Sequence, residues 1–389
     1  RDRTITHLTS KIIKTDTFSN TLLVLLSGLT GALSFTFTDS FWFSAVEAEV
    51  YAMATMILSL LFWLGLKWEQ EMNTAYGDRW LLLISFIIGL SFGVHFMGLL
   101  TIPALGMLYY FKNVKKITIK NFIAANIISV AILLFIFKLL LPSTLAFFGR
   151  AEVYFVNSLN LPFNSGTIFC GLVLIIFFVY AINLTKKYNL INLNTGILCI
   201  LFVLIGFSSW LMIPIRSNAN TVINENSPTD ARQLLAYYNL EQYPDTYLFY
   251  GPMFSDMYAG QDSKEPYIDD KPKYERDYKT GKYKIVNFWR DARFNSNSAH
   301  NGILPRLWSS EHAGNYMNFT EPLEFSIKPE YRSNAQLKNR IDQFREDISD
   351  GSIDGDQFHE FLKTFSPYLD IEKPSFFSNL RFFIEYQLG

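Results

Sequence analysis

Seven apolar runs dominate the first half of the chain: Thr21 to Phe37, Val50 to Leu66, Trp80 to Val94, Phe96 to Phe111, Phe122 to Leu141, Thr167 to Leu184 and Thr195 to Ile215. A helix needs about 20 apolar residues to cross a bilayer, so runs of this length predict membrane spans. The third and fourth form one 32-residue stretch broken by Gly93, His95 and Pro103. That is too long for a single crossing without strong tilt, and it predicts two short helices turning at His95.

Beyond Arg216 the apolar runs shorten. Ser227 as N-cap, Pro228 at the first helical position and Asp230 in the first turn predict a helix to about Asn239, with Leu234, Leu235 and Tyr238 on one face. Thr246 to Tyr250 reads as a strand, and Tyr278 to Tyr283 followed by Ile285 and Val286 reads as a hairpin. A charged helix is expected from about Asn334 to Ile348, then an aromatic-rich one from Ser375 to Leu388 suited to a membrane surface. The expected fold class is mainly α, a polytopic transmembrane helix bundle followed by a small α+β region. The expected divisions are a cytoplasmic segment at 1–20, about seven transmembrane helices in 21–215, and a periplasmic or lumenal α+β region at 216–389 ending in an interfacial helix.

Charge sharpens this division. Of the 69 charged residues, 23 precede Arg216 and 46 follow from it, about 11% against about 26% of each part. The second value is near that of ordinary soluble domains. With 50% hydrophobic residues and a net charge of -1, the chain is neither disordered nor a basic nucleic-acid binder. Cys170 and Cys199 lie inside apolar runs, which argues against a disulfide framework or a cysteine metal site. Arg1 to Asn20 lacks the pattern of a signal peptide, and the chain reads as a piece of a longer protein, cut at its start and open to the same reading at Gly389.

Lys and Arg in alternate loops predict orientation, because they are retained on the cytoplasmic side. One set of loops holds Arg1, Arg3, Lys11, Lys14, Lys67, Arg79, Lys112, Lys115, Lys116, Lys120, Lys186 and Lys187; the opposite set holds only Arg150, with Lys138 snorkelling from its helix end. With seven spans, the N-terminus is cytoplasmic and everything from Arg216 is periplasmic or lumenal.

The few acids between Thr21 and Leu66 are Asp39, Glu47 and Glu49, all in or beside the first outward loop. Acids close to hydrocarbon are costly, and this loop is apolar, with Phe41, Trp42, Phe43 and Tyr51 around them. The alternative is that both glutamates are wet loop residues. On a helix continuing into the second span they would point about 200° apart, so only one would face a cavity. His95, at an outward turn, suits a phosphate or sugar, or else a broken-helix carbonyl. Arg150 and Glu152 fall in the expected outward loop Leu145 to Gly166, binding phosphate or pairing together. Arg216, basic on the outer side, invites an anionic ligand or a partner such as Glu47 or Glu225. Asp350-Gly351-Ser352-Ile353-Asp354-Gly355-Asp356 imitates a calcium loop but lacks its twelfth-position Glu, which is Phe361 here, and reads as a solvated turn. Asn318-Phe319-Thr320 is a formal glycosylation acceptor. Phosphate-loop, dinucleotide and HExxH motifs do not occur.

Phe35 to Ala52, containing Thr38-Asp39-Ser40-Phe41-Trp42-Phe43-Ser44-Ala45-Val46-Glu47-Ala48-Glu49, resembles the bacterial, Bacteroidetes-type protein O-mannosyltransferase-like family known as domain of unknown function 2723. The resemblance extends through Gly93-Val94-His95, Leu100 to Ala104, Ile223-Asn224-Glu225-Asn226, Pro305 to Ser309 and Phe382 to Gly389, nearly the whole chain. The family is similar to the animal transmembrane protein 260 O-mannosyltransferase. Resemblance implies a C-type membrane glycosyltransferase of the bacterial inner membrane, moving a mannose-like sugar from a polyprenyl-phosphate donor to Ser or Thr of exported proteins.

On that expectation Glu47 and Glu49 are catalytic, while Asp39, Trp42, His95, Arg150, Arg216, Asn224 and Glu225 bind substrate. The partners are the bilayer, the polyprenyl-phosphate-linked sugar and exported acceptor proteins, with no nucleic acid; a divalent metal ion is left open, with no ligands assigned. The family begins with a further pair of spans whose outward loop carries an acidic Phe-Trp-Asp type motif. Nothing equivalent precedes Arg1, so the principal acid is expected to lie outside this chain and the chain alone to be inactive. The rival expectation is a non-catalytic scaffold or a polysaccharide-handling transporter subunit, in which the same acids line a polar cavity.

Overall fold

The computed structural model describes residues 2–47, 49–74, 76–219, 221–224, 226–243, 245, 247, 249–303, 316–317 and 322–388. Two compact units divide it, 1–240 with 274–284, and 241–273 with 285–389.

The first unit is helical: α1 (Asp2–Ile12), α2 (Phe18–Thr36), α3 (Asp39–Val46), α4 (Tyr51–Glu71), α5 (Asp78–Ser91), α6 (Thr101–Asn113), α7 (Ile119–Leu134), α8 (Leu141–Asn157), α9 (Ser165–Lys187), α10 (Ile191–Phe207), α11 (Met212–Ser217) and α12 (Ala231–Tyr238). Among the described residues, five helices are long and apolar enough to cross a membrane: Phe18–Thr36, Tyr51–Glu71, Ile119–Asn157, Ser165–Lys187 and Ile191–Ser217. They are consistent with a multi-pass membrane protein. The run from Trp80 to Phe111 folds as two short helices, α5 and α6, separated by the His95 turn and a 3-10 segment, Phe96–Leu100.

Leu61, Leu64, Ile84, Ile88, Phe92, Val203 and Phe207 form the core. There α5 and α10 touch backbone to backbone. A Cβ on Gly89 would meet the Val203 carbonyl oxygen at 2.0 Å, and one on Gly206 would meet that of Phe86 at 2.1 Å. Without side chains at these two positions the helices approach close enough to gain dispersion along their whole crossing, the usual role of small residues between membrane helices.

The segment before the first span contains a packed helix, α1: Ile5 lies against Gly31, Ser27 Oγ donates to Thr9 Oγ1 at 3.1 Å, and Lys11 pairs with Glu69 at 2.5 Å. Two expectations change. The fifth run does not stop at Leu141. Pro142 lacks an N–H and crowds the carbonyl of Lys138, and the chain absorbs this in a π turn, Phe135–Leu140, so that Ile119–Asn157 continues as one helical segment. Leu145 to Gly166 is therefore largely helix instead of loop. The N-cap of α12 is Asp230 instead of Ser227, because the Asp230 carboxylate accepts from the amides of Arg232 and Gln233.

The second unit carries three antiparallel pairs, Tyr250–Pro252 with Asn301–Ile303, Tyr267–Ile268 with Arg293–Phe294, and Phe325–Ile327 with Leu369–Ile371. The first begins where the predicted strand at Thr246 to Tyr250 ends; residues 246 and 248 lie outside those described. Its helices are α13 (Ala335–Ser349), α14 (Gly355–Phe365) and α15 (Phe376–Leu388). Phe254, Ile341, Phe358, Leu362 and Leu369 make its core, with the rings of Phe344 and Phe361 stacked at 3.5 Å. Asp354, from the imitation calcium loop, caps α14 through a reciprocal box with Gln357.

Candidate functional site

Thr38 turns the chain out of α2 into α3, whose first turn carries Asp39 beside the positive end of the helix. Asp39 is exposed, and Trp42 is stacked on Phe37 with ring centroids 6.2 Å apart. Since α3 ends at Val46 and α4 begins at Tyr51, Glu47 and Glu49 stand outside both helices. The 200° separation expected on a continuous helix does not arise. Both glutamates are exposed and neither has an ion-pair partner among the described residues.

Two residues on, the Tyr51 ring lies 5.8 Å from the ring of His95. The start of α4, just after the acid-bearing loop, thus meets the turn between α5 and the 3-10 segment. His95 is half-buried, and its Nδ1 accepts from the Met97 amide at 3.2 Å. With Nδ1 an acceptor, the neutral ring carries its proton on Nε2 and presents a donor there. His95 therefore caps the 3-10 segment through an amide instead of satisfying a carbonyl.

Arg150 is exposed on α8 beside a cleft of about 570 Å³ that also involves Ser143, Phe147, Leu235 and Asn239. It does not pair with Glu152, because side chains two apart on a helix do not face each other. Arg216, in the last turn of α11, is exposed with no carboxylate partner among the described residues. Asn224 exchanges hydrogen bonds with Ser217, at 2.9 and 3.3 Å. Glu225 lies outside the described residues, as do Pro305 to Ser309 and the Asn318 acceptor motif. Tyr51, at the start of α4, thus reaches His95, while Asp39, Trp42, Glu47 and Glu49 lie on the stretch leading into α4, and Arg150, Arg216 and Asn224 stand on separate elements. An aromatic cluster joins the end of α5, the turn after α10 and α12: Trp210 Nε1 donates to the Phe92 carbonyl at 2.8 Å, and Tyr238 packs on Trp210 at 5.4 Å.

The sequence gives little sign of a second polar assembly. Glu152 is fully buried and accepts from the amides of Asn164 at 2.5 Å and Thr167 at 2.9 Å, and from Thr167 Oγ1 at 3.0 Å, so it caps α9 from α8. The Tyr283 hydroxyl donates to it at 3.4 Å. Arg276 Nε lies 3.1 Å from Asp230 Oδ2 and donates to Tyr283 Oη at 3.1 Å, while its Nη2 donates to Asn164 Oδ1 at 2.6 Å. Burial pushes the Tyr283 phenol above its ordinary range, so it stays a donor at neutral pH. These contacts bind the hairpin of Tyr274–Asp277 and Lys282–Ile285 to α8, α9 and α12. Glu152 alone, an acid in an apolar stretch, offered a signal; Arg276 and Tyr283 meet partners more than 45 residues away in sequence.

No group of three or more His, Cys, Asp or Glu side chains able to hold a metal occurs among the described residues. Residues 244–384 match a family of unknown function, DUF8416. No curated protein and no solved structure matches the chain. Residues 3–118, which contain Asp39, Trp42, Glu47, Glu49 and His95, match the protein O-mannosyl-transferase TMEM260 N-terminal domain, and over that region the chain is similar to it.

Proposed function

We propose that the protein is a membrane glycosyltransferase with a C-type helical bundle, moving a mannose-like sugar from a polyprenyl-phosphate donor to Ser or Thr of exported proteins on the outer face of a bacterial inner membrane. The match at residues 3–118 carries this reading, because it contains the acidic loop between α3 and α4 together with His95, whose ring the neighbouring Tyr51 meets. In an inverting transfer, a carboxylate removes the acceptor hydroxyl proton, the oxygen attacks the anomeric carbon, and the bond to the lipid phosphate breaks. Glu47 or Glu49, both exposed, suits the proton acceptor. The Nε2–H of His95, together with Arg150 and Arg216, suits the phosphate that leaves with two electrons of the broken bond. Asp39, Trp42, Asn224 and Glu225 complete the proposed substrate contacts.

The test is sugar transfer by the full-length protein in membranes carrying Glu47→Gln or Glu49→Gln, with expression matched. Loss of a Ser- or Thr-linked glycan from exported proteins in one variant, by about 100-fold or more as general-base removal produces, supports the assignment. Wild-type transfer in both variants removes it, and an unchanged glycoproteome on deleting the full-length gene and its redundant relatives favours a scaffold or transporter role.

A further inference from the structure

The opposite end of the helical unit carries a different kind of site. Helix α4 begins beside His95 and ends near Glu69, about 30 Å away at 1.5 Å per residue. At this far end Lys11 and Lys112 lie 2.5 and 3.8 Å from Glu69, and Arg79 lies 2.7 Å from Glu71. Both acids are therefore already engaged. The turn between α6 and α7 adds Lys115 and Lys116, and the first turn of α7 adds Lys120, all exposed, with no carboxylate partner among the described residues. Among the described residues, three unneutralised ammonium groups thus belong to this turn and the start of α7.

That turn is also the rim of a groove. Val114 and Asn121 line a cavity of about 690 Å³ that continues along α7 through Ala125, Ile128 and Ile132 to Leu140. From Asn121 to Leu140 the groove runs about 28 Å. An acyl chain can lie along an apolar strip of that length. The walls are almost wholly apolar; at the lysine end Tyr110 Oη donates to Asn121 Oδ1 at 2.6 Å, marking where a polar head begins.

We infer that this groove holds an acyl chain of an anionic phospholipid whose phosphate head sits on Lys115, Lys116 and Lys120. Charge complementarity selects the head, and the groove's length and apolar lining select the tail. A basic residue near an anionic lipid surface favours it by several-fold, so three together give a preference of tenfold or more over a zwitterionic lipid. The site is separate from the proposed sugar-transfer centre and does not depend on it.

The experiment is native mass spectrometry of the delipidated full-length protein titrated with phosphatidylglycerol or phosphatidylcholine of the same acyl chains. Expected is at least about tenfold tighter binding of phosphatidylglycerol. Replacing Lys115, Lys116 and Lys120 together by Gln abolishes that preference but leaves weak binding of both lipids. Ala125→Trp, which fills the groove, removes binding of both; Ile128→Trp serves if the first variant fails to fold, with an unchanged melting temperature as the criterion. Equal affinity for the two lipids in the wild type, or undiminished binding in a folded groove-filled variant, overturns the inference.

Discussion

Replacing Glu152 tests whether α8 and α9 are joined by a buried carboxylate. Glu152→Ala strands three donors, the amides of Asn164 and Thr167 and the Thr167 hydroxyl, and deprives Tyr283 of its acceptor. Hydrogen bonds to a charged group contribute about 1.5–3 kcal/mol each, and water entering the vacated space recovers part of the loss. A net destabilisation of about 3–5 kcal/mol follows, comparable to breaking a buried ion pair. Glu152→Gln keeps one accepting oxygen but loses the attraction between carboxylate and the positive end of α9, about 1–2 kcal/mol. The expected order of stability is Glu, then Gln, then Ala. Thermal unfolding of the full-length protein in nanodiscs measures it, and hydrogen exchange at 164–168 locates it. An Ala variant within about 0.5 kcal/mol of wild type, the ordinary range for an unimportant surface change, refutes the reasoning.

Gly89→Ala and Gly206→Ala each force a methyl onto a carbonyl oxygen, so each lowers stability by about 1–3 kcal/mol in thermal unfolding, whereas Gly171→Ala, with open space around it, is neutral or stabilising. Arg276→Lys keeps a charge for Asp230 but loses the fork that reaches Tyr283 and Asn164; exchange in 274–284 accelerates while α4 and α5 are unchanged. Burial, followed by the nearby Lys373, holds the His300 imidazole below its usual range, so the folded state takes up its proton less readily than the unfolded chain. Stability from this group is complete above about pH 6.5 and falls as pH drops below it, so corrected exchange at Met253, whose amide donates to the His300 carbonyl, rises between pH 7.5 and 5.5 and flattens in His300→Gln.

The helices around the His95 turn are legible in sequence because long apolar runs with few charges have one economical fold in a bilayer. The α3–α4 loop is legible as a place where acids and aromatics meet. Its neighbour is not, since the contact of Tyr51 with His95 depends on how α4 packs beside α5. Pro142 misleads in the other direction: read locally it ends a helix, yet the π turn preceding it takes up the lost hydrogen bond. Likewise Ser227 has the chemistry of a cap, but Asp230 wins because its carboxylate reaches two amides and also meets Arg276. Glu152 shows the limit most clearly. Nothing near it in sequence reveals that its partners are the first amides of the following helix.

The hairpin at 274–284 belongs to the helical unit although 241–273, from the other unit, separate it from α12. The polypeptide therefore visits the two units alternately, and no single cut divides them. During synthesis, Glu152 and Asp230 must wait for more than 40 further residues before Arg276 and Tyr283 arrive to complete their shell. A truncation just after α12 would release a bundle with all its long apolar helices but with an unfinished seam, and a chaperone or protease that inspects nascent membrane proteins would meet that seam in every copy until residue 284 emerged.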